Sequence, residues 1–74
     1  MQEATPVSPD LPPSVRVAFD ELRRLRAATD SVVLTQAAGR NLIRAMWEAG
    51  FTQEDGTVLA FHAVALGNRD AGRS

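Results

Sequence analysis

Residues 34–66 read LTQAAGRNLIRAMWEAGFTQEDGTVLAFHAVAL, and the eight at their centre, Glu48-Ala49-Gly50-Phe51-Thr52-Gln53-Glu54-Asp55, decide the fold. Gly50 suits the left-handed position that ends helices, and Phe51 after it can fold back on Met46 as the hydrophobic contact of a Schellman motif. Thr52 is a helix-capping residue, and Asp55 three positions on resembles the acidic member of a capping box. Glu54 and Asp55 also suit the positive end of a helix. Stop and start signals agree, so the spacing predicts a helix-to-helix corner at Gly50-Phe51-Thr52.

Working outward, a helix over 33–49 precedes the corner. Leu34, Ala38, Leu42, Ala45, Met46 and Ala49 form a stripe at three-four spacing, with Ile43 beside it. Its start falls between Ser31 and Thr35, either of which can cap it. Val32 and Val33 are β-branched and leave open a short strand over 31–35. Gly39, after Ala37 and Ala38, is either a site where another helix backbone approaches closely or a surface glycine without a role.

After the corner, a helix over 53–66 stopping at Gly67 competes with a turn at Glu54-Asp55-Gly56-Thr57 followed by a strand over 57–64. The upstream cap and three alanines favour helix. The segment is apolar nearly all round, which predicts either a central buried helix or one in a dimer interface.

The first helix is expected over 13–28. Val15, Ala18, Leu22 and Leu25 recur on one face, widened by Phe19. Pro12 and Pro13 mark its entry, since proline fits the first helical turn. Asp10 and Ser14 are alternative caps. Asp20–Arg24 and Glu21–Arg24 are acid-to-base pairs at helical spacing. Arg23, Arg24 and Arg26 read as a solvated face or as a contact for phosphate or an acidic partner. Residues 1–12 and 68–74 are expected to be flexible tails around a single helical domain, 13–67.

Composition narrows the function. Seventy-four residues make at most one domain, and one this small is marginal alone. Small folds are rescued by disulfides, metals or association. The chain has no cysteine and one histidine, which removes disulfides and leaves no zinc-ligand set. Association is what remains. Net charge is −1, so no overall field attracts nucleic acid or an acidic membrane. All eight basic residues are arginine, which reads as codon bias or as a choice of bidentate contacts. No apolar run reaches the roughly 18 residues of a membrane span. The N-terminus lacks the basic-then-apolar pattern of a secretory signal, so a cytoplasmic protein is expected.

Chemistry is scarce. His62, inside an apolar run, reads as a half-buried histidine bonded to backbone or carboxylate, or as a pH-sensitive interface residue. Ser31, Thr35 and Thr57 are explained as caps or turn residues, and no nucleophile stands beside a base. The expectation is therefore no catalytic, cofactor-binding or metal-binding residues, and no enzyme. Arg40, Arg44 and Trp47, with Asn41 alongside, share one helical face at spacing four and three. That is a candidate contact for a protein partner or for a nucleic-acid base. The alternative is that Trp47 is core and Arg44 pairs with Glu48.

Two motifs carry partial resemblances. Gly50-Phe51-Thr52-Gln53-Glu54 resembles the opening of the second helix in phage-repressor-type helix-turn-helix domains. In that family a Leu-Gly turn and a recognition helix follow within about two helical turns. Here Leu66-Gly67 comes several residues later and seven residues remain. Leu34-Thr35-Gln36-Ala37-Ala38, with Arg44-Ala45-Met46-Trp47-Glu48-Ala49-Gly50, is similar to an excisionase-type helix-turn-helix, yet the segment is too short for two helices and a turn. Each covers less than a quarter of the chain, and neither assigns a family.

The sequence thus predicts an all-α three-helix module, with a winged-helix-like α+β arrangement as the alternative. The expected function is that of a small regulatory or adaptor protein acting through protein contacts, as a homodimer or on a larger protein. Phe61, Val64 and Leu66 are the candidates for association, and Arg40, Asn41, Arg44 and Trp47 for a partner. A nucleic-acid-binding regulator is the alternative.

Overall fold

The computed structural model describes residues 11–73. Asp10 as a cap, and most of the expected N-terminal tail, lie outside them. Three helices follow in order: α1 over Pro13–Ala28, α2 over Val32–Glu48 and α3 over Gln53–Asp70. No strand occurs among the described residues, which overturns the winged alternative: 57–64 is helical, and so is 31–35 after Ser31.

The caps explain why the β-branched runs are helical. The Ser31 hydroxyl accepts from the Leu34 amide at 3.3 Å, so α2 begins before the valines can extend. Thr52 does the same for the Asp55 amide at 3.0 Å. Thr35 and Thr57 then donate to carbonyls one turn back, at Ser31 and Gln53, over 2.7 and 3.0 Å. The α1 cap is Pro12, with no side-chain bond, and Ser14 does not serve.

The corner is a complete Schellman motif. The Phe51 amide reaches the Met46 carbonyl at 2.9 Å and the Gly50 amide the Trp47 carbonyl at 3.0 Å, with Gly50 at φ +97°. Phe51 packs against the core that contains Met46. A second motif of the same kind closes α3. The Arg73 amide bonds the Asn68 carbonyl at 2.8 Å and the Gly72 amide the Arg69 carbonyl at 3.0 Å, around Gly72 at φ +75°. The expected stop at Gly67 is therefore corrected: α3 runs on to Asp70, and Gly72 ends it.

Short loops, residues 29–31 and 49–52, make successive helices antiparallel. α1 and α3 accordingly run the same way. One core joins all three: Val15, Phe19 and Leu22 from α1, Leu42 and Met46 from α2, Leu59 and Ala63 from α3. Leu34, expected in the α2 stripe, is 50% exposed instead.

Two glycines set the helix spacing. A Cβ on Gly67 would stand 2.6 Å from the Arg23 carbonyl oxygen, and one on Gly56 would stand 3.2 Å from Ile43 Cα. Gly39, the position where close approach was one expectation, has nothing within 4 Å of its own would-be Cβ.

Candidate functional site

Arg40, Arg44 and Trp47 lie on one face of α2 because four- and three-residue steps return to the same side of a helix. With Ile43 and the first residue of α3, Gln53, they line an open groove of about 480 Å³. Trp47 is 65% exposed, so the reading of it as core does not hold. Arg44 forms no ion pair with Glu48, and Arg40 has no carboxylate partner among the described residues. The groove therefore offers an exposed aromatic face beside two guanidinium groups that form no ion pair among the described residues. Asn41 is exposed on α2 but does not line it.

The arginines of α1 are used differently. Arg23 donates Nε and a terminal nitrogen to the two oxygens of Asp70, at 2.7 and 3.1 Å. Arg26 donates to the Asn68 side chain at 2.8 Å and makes a longer contact, 3.4 Å, with the Thr35 hydroxyl. Arg73 reaches back to the carbonyls of Arg26 and Thr29. Arg23 and Arg24 line a second shallow groove with Asp20 and Asp70, separate from that of Arg40 and Arg44. The Arg23 hydrogen bond holds the Asp70 carboxyl below the ordinary carboxylate range, and Asp70 in turn raises the Arg23 guanidinium. Asp20–Arg24 and Glu21–Arg24 form no ion pair.

The three association candidates do not share a face. Phe61 is 71% exposed, while Val64 and Leu66 are half-buried and pack against the core. Five residues of helix turn Leu66 about 140° from Phe61. What accompanies Phe61 outward is Val58, 56% exposed, with Ala65 one turn on. Three-four spacing alone does not single out that row, because the segment is apolar nearly all round and its other faces repeat in the same way.

His62 is half-buried with its ring centroid 6.0 Å from that of Phe19. It packs on an aromatic ring of α1 and pairs with no carboxylate among the described residues. No three His, Asp or Glu side chains converge as metal ligands among the described residues. No helix among them is long and apolar enough to cross a membrane. No protein-family model, curated protein or solved structure matches this chain.

Proposed function

We propose that this protein is a small non-enzymatic regulatory or adaptor module that works as a homodimer through the outer face of α3. The observation that carries the reading is Phe61, 71% exposed in a helix with no charged residue between Asp55 and Arg69. A large aromatic ring in an uncharged outward row is typical of association surfaces. A domain of this size without disulfides gains most from such association. The groove of Arg44 and Trp47 then lies free to take a further protein. Sedimentation equilibrium tests the reading: the wild type dimerises, and Phe61→Asp stays helical but monomeric. A wild type that remains monomeric at all concentrations sinks it.

The alternative, a nucleic-acid-binding regulator, is supported by exposed Trp47 lining one groove with Arg40 and Arg44. Such a complex weakens steeply with salt and disappears in Arg40→Ala/Arg44→Ala. Fluorescence anisotropy with labelled single- and double-stranded probes at low salt decides it, and absence of binding there removes this reading.

A further inference from the structure

We infer that the second copy docks antiparallel on α3, with the two-fold axis passing between Phe61 and His62. Glu54, Val58, Phe61, Ala65 and Arg69 are all exposed. Their steps of four, three, four and four keep them within an arc of about 80° on the helix. The row is therefore a narrow apolar seam of the kind that pairs helices, closed by an acid at one end and a base at the other.

The ends fix the direction. Glu54 and Arg69 lie equally far from an axis between Phe61 and His62, and so do Val58 and Ala65. Antiparallel pairing sets Glu54 against the partner's Arg69 at both ends of the seam. It sets Val58 against the partner's Ala65, large against small, and places the two Phe61 rings beside each other across the axis. Parallel pairing would set Glu54 against the partner's Glu54 and the two Arg69 side chains together, which is repulsive at both ends. A two-fold interface of this kind uses one patch twice, so one row provides both halves of the contact. No charged side chain interrupts the seam, because α3 carries none between Asp55 and Arg69. Arg69 is free for this role: the α3 carboxylate next to it, Asp70, is held by Arg23 at 2.7 Å. One helix per protomer is a small interface, which places the dimer at the weak end of specific association.

This inference rests on the homodimer reading, and its test separates the two. Sedimentation equilibrium of the full chain at low salt compares wild type, Glu54→Arg, Arg69→Glu and the double exchange. Each single reversal places like charges at both ends of the seam and weakens the dimer about tenfold. The double exchange restores opposite charges and returns the dimer to near wild-type strength. The single defects shrink in 1 M salt. Because Glu54 also sits in the first turn of α3, thermal melts of each variant separate any loss of helix from a loss of dimer. If Phe61→Asp breaks a wild-type dimer but the single reversals leave it intact, or the double exchange stays weak, the antiparallel register is wrong and the homodimer stands. If the wild type is monomeric, both fail. Disulfide capture gives an independent reading in this cysteine-free chain. A mixture of Val58→Cys and Ala65→Cys proteins cross-links mainly between unlike copies, whereas a predominance of Val58→Cys homodimers overturns the proposal.

Discussion

Gly67 is held where only hydrogen fits. Its would-be Cβ falls 2.6 Å from the Arg23 carbonyl and 2.7 Å from Arg26 Cβ, so a methyl there forces α3 away from α1. The displaced atoms include backbone, which cannot swing aside as a side-chain tip does. Gly67→Ala is therefore expected to destabilise the fold by about 1–3 kcal/mol through overpacking. Gly39→Ala goes the other way. With nothing within 4 Å to meet the new methyl, the gain in helix propensity, about 0.5–1 kcal/mol, is realised. Urea unfolding of the two variants beside wild type measures the contrast, and a stabilised Gly67→Ala would overturn the packing role. Sequence marks both positions as glycine inside a helical pattern. It does not distinguish a glycine facing solvent from one against a neighbouring backbone, since that depends on where another helix lies.

At the scale of elements, α3 is longer than its pattern of apolar residues. Leu66 is the last large apolar side chain, yet the helix continues to Asp70. Asn68, Asp70 and Arg73 account for the extension: each bonds a group of α1 or of the loop after it, so the last turn is anchored by polar contacts. The Arg23–Asp70 pair makes this anchor sensitive to acid. Its hydrogen bond lowers the Asp70 pKa in the folded state. The contribution is therefore complete above the unfolded value, near 3.9, and is lost as pH falls through the lower folded value. Asp70→Asn removes it at all pH. The melting temperature of wild type is expected to fall toward that of Asp70→Asn below about pH 4, with the gap largest near neutrality. A constant gap between the two across this range would contradict the assignment. Both partners are 40% exposed, so the gap is small. The corner at Gly50, by contrast, was fully legible, because the glycine, the apolar Phe51 and the Thr52 cap are adjacent in sequence. The motif at Gly72 uses the same chemistry but has no apolar residue after the glycine to mark it, since its surroundings are polar.

For the molecule as a whole, the balance between core and surface matters most. Among the described residues seven side chains form the buried cluster, while Val33, Trp47, Val58 and Phe61 are among the large apolar groups left exposed. A folded unit with so small a core gains stability from anything that binds it only when folded. If Phe61 lies in a homodimer seam, the wild-type melting temperature rises with protein concentration, by about 4–8 °C for each kcal/mol of dimer stabilisation. Phe61→Asp melts at a concentration-independent temperature while keeping its helix content, since Phe61 is outside the core. Circular dichroism melts over a hundredfold concentration range read this directly. A wild-type midpoint that does not move with concentration argues against the dimer.

The sequence alone determined the number of helices, their order and, to within a residue, most of their ends. Those features rest on local chemistry: glycine at positive φ, hydroxyl caps beside amides, and apolar residues at the helical repeat. It also placed Arg40, Arg44 and Trp47 on one face, because a single helix fixes their relation. The tertiary structure decided what no single element contains. It showed that Arg23 and Arg26 are spent on α3, that Gly56 and Gly67 are points of helix contact, and that Leu66 turns inward while Phe61 turns out. Each of these depends on where another helix lies, and an apolar run without a polar side carries no mark of which of its faces will be covered.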